Sequence, residues 1–186
     1  MGKMKGMIIA IVLVALVGGY YFYISNVGKA DEEVSVTAVQ NVLLRNLENN
    51  YPSTPRELVR YYSEITKCLY NESYTNEELE QLADKMLALY DAELVENNPR
   101  EQYINDLKLD VKDFADKNYT IATYSVSSST DVEEYTHEGR RCASLYCTYS
   151  VKTGGVDYVS SKQIFVLRKE TDTGHWKILG FEVVNE

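Results

Sequence analysis

The feature that most constrains this chain is an uncharged apolar run near its N-terminus, residues 7–24 (MIIAIVLVALVGGYYFYI). As a helix rising about 1.5 Å per residue, this run would be roughly 27 Å long, which matches a hydrocarbon core of about 30 Å. It holds ten Leu, Ile, Val or Phe residues. Together they contribute about −3 to −6 kcal/mol to membrane insertion. The run therefore predicts a transmembrane helix that anchors the protein in a lipid bilayer.

The residues that flank the run predict its orientation. Lys3 and Lys5 precede it, so residues 1–6 form a short cytoplasmic stub under the positive-inside rule. Phenolic rings favour the headgroup layer of a membrane. Three tyrosines lie at the other end of the run: Tyr20, Tyr21 and Tyr23. The prediction is a single-pass plasma-membrane protein whose C-terminal part lies outside the cytoplasm.

A cleaved signal peptide is the alternative interpretation of the same segment. Val17 and Gly19 are small enough to precede a cut after Gly19. However, the apolar run continues to Ile24, which is longer than a usual signal core and favours a retained anchor. Ala15 and Gly19 also have the small-xxx-small spacing of helix dimers, so a homodimer through this segment stays open.

The charge balance of the chain excludes one class of function for the exported part, which is nucleic-acid binding. The chain has 19 Lys and Arg residues against 28 Asp and Glu residues, and a net charge of −9. Nucleic-acid binding needs clustered Lys and Arg residues, so no nucleic-acid partner is expected. Residues 25–33 are a polar tether, and residues 34–186 are the predicted exported domain.

Periodicity and N-cap motifs predict about four helices between residues 34 and 117. An apolar stripe with helical spacing begins the domain: Val36, Val39, Leu43 and Leu47. Thr54, Thr75 and Asn98 then each precede a glutamate by three residues, which is typical of a helix start. Pro55 and Pro99 would occupy the first helical position of two of these helices.

From about residue 119 the apolar period changes from 3.6 to 2, which predicts strands up to residue 184. Four runs are separated by short turns: residues 119–127, 141–151, 156–168 and 176–184. In the second run, alternate residues share one face: Ala143, Leu145, Cys147, Tyr149 and Val151. The predicted fold class is α+β, with helices packed on a four-stranded antiparallel meander.

The order of elements, with an aromatic residue opening the last strand at Trp176-Lys177-Ile178, resembles the cystatin-like superfamily and especially its nuclear transport factor 2-like domains. The resemblance covers residues 34–186. It implies a bacterial membrane-anchored protein of unknown function in which a single membrane helix carries such a domain. No catalytic residue of an enzymatic member can be matched to this sequence.

The three cysteines do not form a redox or metal motif. Cys142 and Cys147 are five residues apart on one strand, so they point to opposite faces and cannot bond to each other. We expect small buried thiols. The alternative is one disulfide bond between Cys68 and either Cys142 or Cys147.

Other candidate chemistry is sparse. His137, in a polar loop, and His175, beside Trp176, have no context typical of a general base, and we expect both on the surface. An acidic loop lacks the twelve-residue calcium-binding pattern and is expected to be solvated. Its members are Asp131, Glu133, Glu134 and Glu138. We therefore expect no catalytic site, no cofactor and no metal.

Sixteen tyrosines are the unusual element of the composition. A tyrosine packs its ring and hydrogen-bonds its hydroxyl, which suits a half-wet pocket or a protein interface. The residues predicted to form such a pocket or interface are Tyr146, Tyr149, Tyr158 and Trp176. The favoured hypothesis is a non-catalytic module of the cell envelope that binds a protein or peptide. The alternative is a small-ligand pocket, or an isomerase or dehydratase site, between sheet and helices.

Overall fold

The computed structural model describes residues 36–184, in which helices precede strands. The helices are α1 (Ala38–Leu44), α2 (Pro55–Asn71), α3 (Asn76–Leu89), α4 (Ala92–Glu96) and α5 (Arg100–Asp116). The strands are β1 (Thr120–Val126), β2 (Glu133–His137), β3 (Arg140–Lys152), β4 (Tyr158–Lys169) and β5 (Trp176–Val183). The α+β class predicted from the sequence is confirmed.

The predicted membrane segment, residues 7–24, lies outside the described residues. The flanking residues assigned to the membrane interface lie outside them too: Lys3, Lys5, Tyr20, Tyr21 and Tyr23. In the stretch from residue 36 to residue 184, none of the helices combines the length and apolarity needed to cross a bilayer.

Side-chain caps explain where most of the helices begin. The hydroxyl of Thr54 accepts a hydrogen bond from the Glu57 amide, and Pro55 occupies the first turn. Thr75 and Glu78 form a complete capping box at the start of α3. Both starts were predicted. Such a cap stabilises a helix by about 1 kcal/mol because it satisfies amides that have no partner within the helix.

The predicted cap at Asn98 is wrong by one residue. Helix α5 begins at Arg100, and Pro99 holds the cap position without a side-chain hydrogen bond. The side-chain amide of Asn98 instead donates to the Leu94 carbonyl at 2.7 Å, because the short helix α4 ends there. Helix α4 itself was not predicted, since five residues are too few for a periodic pattern.

The sheet has five antiparallel strands, so the predicted four-stranded meander is wrong in one respect. β3 pairs with β4 from Cys142↔Arg168 to Lys152↔Tyr158, and β5 pairs with the other edge of β4. On its other edge β3 pairs with β2 along its first half and with β1 along its second half.

The additional strand lies where the sequence predicted an acidic loop. Glu133–His137 pairs with residues 140–144, and Glu138 and Gly139 make the turn with φ of 51° and 76°. Asp131 lies in a short 3-10 turn just before β2. All five side chains of β2 are exposed. Main-chain pairing and a left-handed turn therefore form this strand, and the hydrophobic alternation used to detect strands is absent.

One face of the sheet, here called the inner face, packs on the helices. Along β3 the predicted alternation is confirmed by burial of Ala143, Leu145, Cys147 and Tyr149. The helices cover the inner face completely at one end of the sheet only. We call the inner positions around Leu145, Phe165 and Ile178 the closed end, because none of these side chains is more than 1% exposed.

Two connections tie the helical half to the closed end. The Tyr51 hydroxyl donates to the Trp176 carbonyl at 2.9 Å, across 125 residues of sequence. Tyr90 forms a parallel bridge with Ile178, and the Asp91 amide donates to the Ile178 carbonyl at 2.8 Å. The outer edge of β5 is therefore paired at this point.

The three cysteines are free thiols and all are buried. The alternative of a disulfide bond from Cys68 is therefore wrong, and the expectation of buried thiols is confirmed. Cys142 and Cys147 point to opposite faces of β3, as their odd spacing predicted. The Cys147 thiol lies on the inner face, 3.4 Å from the Ser63 hydroxyl.

Candidate functional site

A groove of about 420 Å³ separates the inner face of the sheet from helices α2 and α5. It begins beyond the closed end, where β4 presents Ser161 and Gln163 in place of the apolar residues Phe165 and Leu167. We call it the tyrosine groove because five phenol side chains line it. They are Tyr62, Tyr70 and Tyr90 from the region of α2 and α3, Tyr103 from α5, and Tyr149 from β3.

The groove continues past the end of the helical cover. A neighbouring space of about 400 Å³ shares Tyr70, Asp110 and Phe114 with the groove and reaches Val159 on β4. Val159 is 54% exposed. We call this the extension of the tyrosine groove, and we call the inner positions around Val151, Val159 and Phe181 the open end of the sheet.

The aromatic rings of the groove touch one another. Tyr62 lies 5.5 Å from Phe181 and 5.4 Å from Phe165 between ring centroids, and Tyr90 lies 5.9 Å from Tyr103. Edge and tilted contacts of this kind stabilise by about 0.5–1.5 kcal/mol each beyond the area they bury. The rings therefore form a wall whose faces are fixed by mutual packing.

Several hydroxyls of the groove have internal partners. The Tyr90 and Tyr103 oxygens are 3.2 Å apart, and the Tyr103 hydroxyl also donates to the Met86 sulfur at 3.3 Å. On the floor, the Tyr149 hydroxyl lies 2.8 Å from the Ser63 hydroxyl, which donates to the Val59 carbonyl. These bonds hold the phenols in place without introducing a charge.

Burial raises the pKa of every phenol in the groove. The pKa of Tyr70 rises to about 12, and those of Tyr62, Tyr90, Tyr103 and Tyr149 rise well above the usual value of a phenol. All five groups are therefore protonated at neutral pH. They can donate and accept hydrogen bonds to a ligand, but a protonated phenol does not act as a general base.

The nearest thiol is also unsuited to nucleophilic chemistry. Burial raises the pKa of Cys147, although hydrogen bonds from Ser63 and Tyr149 act in the opposite direction. Since the thiolate is the reactive form, a raised pKa keeps Cys147 inert at neutral pH. Its contact with Ser63 and Tyr149 supports the floor of the groove.

The charges at the groove are negative. Asp106 and Asp110 line it from α5, four residues apart, and both side chains are exposed. Neither makes an ion pair in the part of the chain that the structure describes. By contrast, Asp113 and Asp116 on the same helix pair with Lys117 and Lys112. Between residues 36 and 184, the groove proper has no lysine or arginine in its lining.

Only one of the four residues predicted for a pocket or interface lies in this groove. Tyr149 is part of its floor. Trp176 is on the inner face but is buried at the closed end, between Arg141 and Lys169. Tyr146 and Tyr158 are exposed on the opposite face, and the Tyr146 ring faces the Lys162 ammonium at 4.8 Å. The structure therefore brings Tyr149 alone of the four into the groove, and a role of the others in an interface stays a prediction.

Sequence reasoning did not identify Tyr62, Tyr70, Tyr90 and Tyr103 as site residues. They come from three separate segments of the helical half and meet only in the folded structure. One signal was available. Asp110 lies between Leu107 and Phe114 on the face of α5 that turns to the groove. A carboxylate at that place indicates that the face is not fully buried.

The remaining candidate residues lie elsewhere. His137 is exposed on β2, and the His175 ring stacks on Tyr51 at 4.1 Å, so neither lines the groove. No group of three or more His, Cys, Asp or Glu side chains among residues 36–184 could hold a metal ion.

A buried ion pair lies at the closed end, on the other face of the sheet. The Arg168 guanidinium binds the Asp91 carboxylate through two nitrogens and reaches Glu93 at 2.9 Å. Burial is the largest single influence and raises the pKa of Asp91, but hydrogen bonds from Arg168 and the Glu93 amide, together with the positive charges of Arg168 and Arg140, outweigh it and lower the pKa. The pair attaches the start of α4 to β4 and has no contact with the groove.

Comparison with known proteins gives one result. Residues 1–181 match the sequence model of a family described as a domain of unknown function, DUF6715. No curated protein matches the chain.

Proposed function

Because the chain belongs to the DUF6715 family, whose description assigns no activity, we propose a function from the geometry of the groove. The protein is a membrane-tethered, extracytoplasmic module that binds an extended segment of a partner protein in the tyrosine groove. It acts by binding and not by catalysis. The observation that carries this proposal is an open groove of about 420 Å³ that is lined by five phenol side chains.

The shape of the groove supports a chain-like ligand. The groove and its extension run consecutively along the sheet and share Tyr70, Asp110 and Phe114. Rigid aromatic side chains with a polar atom are typical of protein-binding surfaces, because they bury much area at little cost in entropy. A small-molecule pocket buries most of its ligand, whereas this groove continues past the end of the helical cover into its extension.

The membrane tether and the fold family are parts of the same proposal. Residues 7–24 supply the anchor, and the positive charges of Lys3 and Lys5 supply the orientation. The order of helices followed by an antiparallel sheet supports a cystatin-like or nuclear transport factor 2-like domain.

Site-specific crosslinking in cells tests the binding surface. A photo-crosslinking residue such as benzoylphenylalanine would replace Val159, which lines the extension, or Tyr158, which is exposed on the opposite face. We expect a crosslinked protein band from position 159 and none from position 158. In the Ser161→Trp background, where an indole fills the floor of the groove, the band should weaken. Equal crosslinking from both positions would contradict the proposal.

A fusion tests the orientation. A C-terminal alkaline phosphatase, which is active only after export, should be active on the full chain and inactive when residues 7–24 are deleted. A C-terminal fluorescent protein that folds only in the cytosol should stay dark. A cytosolic C-terminus would reject the tether and leave the groove to be judged by crosslinking alone.

A further inference from the structure

We propose that the side chain recognised by the tyrosine groove is a lysine or arginine of the partner segment. This inference rests on the proposed function and names the chemistry of its ligand. The observation behind it is a contrast within one helix. Asp113 and Asp116 of α5 have cationic partners in the chain, whereas Asp106 and Asp110, which line the groove, have none in the described part of the chain.

The interior of the groove suits the stem of a long cationic side chain. Its walls are the rings of Tyr70, Tyr103, Phe114 and Phe181, and lysine and arginine bury their methylene stems against apolar surfaces while the charged group stays near water. The two carboxylates lie on exposed positions of α5. A stem inside the groove would therefore carry its charged end to Asp106 and Asp110.

The aromatic rings add an attraction that depends on charge. Tyr70 lies 4.8 Å from Phe114 between ring centroids, and both residues line the groove beside Asp110. The Asp110 carboxylate is close enough to contribute to the raised pKa of Tyr70, after burial itself. A cation over a protonated phenol face gains about 0.5–1 kcal/mol at an exposed site. An acidic side chain would meet only repulsion here.

A peptide is a better source of this cation than a free amine. The extension adds about 400 Å³ next to the cation site, and exposed Val159 lies on it. The extension is also lined by the Asp113–Lys117 ion pair, and one amine bound at Asp106 and Asp110 would leave Val159 uncovered. A segment with a basic residue beside apolar residues would cover both parts, and the net charge of −9 would accelerate its approach.

The test uses the full chain in a nonionic detergent and three fluorescein-labelled octapeptides. One peptide contains a central lysine between leucines, the second has norleucine in place of that lysine, and the third has glutamate. We expect the norleucine peptide to bind about tenfold more weakly than the lysine peptide, and the glutamate peptide more weakly still. Binding of the lysine peptide should weaken as salt is added.

Two pairs of substitutions locate the effect. The double variant Asp106→Asn and Asp110→Asn should bind the lysine peptide about fivefold more weakly and the norleucine peptide unchanged. The matched control is Glu101→Gln with Asp116→Asn, which removes two charges from the same helix away from the groove. The control should change binding of the lysine peptide by less than about twofold.

The outcomes separate this inference from the proposal on which it rests. Equal binding of the lysine and norleucine peptides, with both blocked by Ser161→Trp, would reject the cation and keep a peptide groove. If none of the peptides bound, or if Ser161→Trp changed nothing, both proposals would fail. Competition by N-acetyl-lysine methylamide at the affinity of the whole peptide would reject the peptide as the source of the cation.

Discussion

The closed end and the open end of the sheet are built from the same three strands, yet only one of them is covered. At the closed end Leu145, Phe165 and Ile178 are at most 1% exposed. Val159, which lies six residues before Phe165 on the same face of β4, is 54% exposed, and Val183 at the end of β5 is 55% exposed. The pairing of β3 with β4 is continuous between the two ends, and the pairing of β4 with β5 shifts register between Leu167 and Val166.

This difference shows that the alternation of apolar residues along a strand determines which face they share. It does not determine whether helices cover that face. Helices α2 and α3 cover the closed end with residues such as Leu58, Ile65 and Leu82, all fully buried. Beyond the closed end, the residues that face the sheet are mostly tyrosines and not aliphatic residues, and α5 contributes Asp106 and Asp110. The closed end therefore stabilises the fold, and the open end is the part that can bind another molecule.

The largest expected effect comes from breaking the closed end. Phe165→Ala should lower the free energy of unfolding by about 3–5 kcal/mol, because it leaves a cavity in a fully packed region. At the open end, Phe181→Ala should lower it by less, since Phe181 is 39% exposed. Urea unfolding followed by fluorescence of the single tryptophan, buried Trp176, measures both. Equal losses would remove the distinction between the two ends.

The second effect tests the ion pair that holds α4 at the closed end. Asp91→Ala should lower the free energy of unfolding by about 2–4 kcal/mol, because Arg168 is left largely buried and, among residues 36–184, keeps Glu93 as its remaining carboxylate partner. Glu93→Ala, at an exposed position, should lower it by less than about 1 kcal/mol. Comparable values for the two variants would show that the buried contact adds nothing.

The Asp91 carboxylate should also make the free energy of unfolding depend on pH in the acid range. Because the pKa of Asp91 is lower in the folded protein than in the unfolded chain, its contribution is present above about pH 4 and is lost as the pH falls through the folded value. Asp91→Asn should therefore flatten the acid limb of a plot of unfolding free energy against pH. Ligand binding at the open end should keep its affinity in this variant at neutral pH.

The third effect lies at the boundary between the two ends. Tyr103→Phe removes the hydroxyl that contacts Tyr90 and Met86 and should lower the free energy of unfolding by about 1 kcal/mol. Tyr158→Phe, at an exposed position, is the control and should have an effect within about 0.5 kcal/mol. A loss of several kcal/mol in Tyr103→Phe would mean that the groove belongs to the structural core.

The buried phenols of the groove should also make the free energy of unfolding fall at alkaline pH. The pKa of Tyr70 is raised to about 12 by burial, so its contribution to stability is complete below about pH 10 and is lost as the pH rises towards about 12. Ultraviolet absorbance of phenolate and far-ultraviolet circular dichroism should therefore change together in this range. Tyr70→Phe should lessen the loss. Ionisation of these phenols near pH 10 in a folded protein would contradict their burial.

The smallest effect on stability is expected at the open end itself. Val159→Ser should change the free energy of unfolding by less than about 0.5 kcal/mol, because its side chain is already half in water. It should nevertheless weaken binding in the extension. Thermal unfolding and peptide titration of the same preparation measure both quantities. If Val159→Ser changed the free energy of unfolding and left peptide binding unchanged, the open end would be part of the structural core and not a binding surface.

Local chemistry made most of the fold predictable. Thr54 and Thr75 determine their helix starts by short-range hydrogen bonds that leave a readable motif. The face shared by Ala143, Leu145 and Cys147 follows from the period of a strand. By contrast, β2 was missed because its exposed side chains carry no periodic signal and its pairing is made by the main chain.

The candidate site was less predictable, for a physical reason. Tyr149 belongs to the groove and Tyr146 does not, and the alternation along β3 could have separated them. Nothing local could have brought Tyr62, Tyr90 and Tyr103 together, because their contacts depend on how three helices meet the sheet. A site assembled from distant segments leaves only indirect traces in a sequence, such as a carboxylate on an otherwise apolar helix face.

The hydrogen bond from Tyr51 to Trp176 has a consequence for how this chain is made. Since the ribosome works from the N-terminus, helices α1 to α5 are complete before β5 has been synthesised. Until residues 176–178 arrive, the Tyr51 hydroxyl and the Asp91 amide lack the carbonyl groups that they bind in the folded domain. A premature stop codon or a protease that removes β5 therefore takes away both of these connections between the helical half and the sheet.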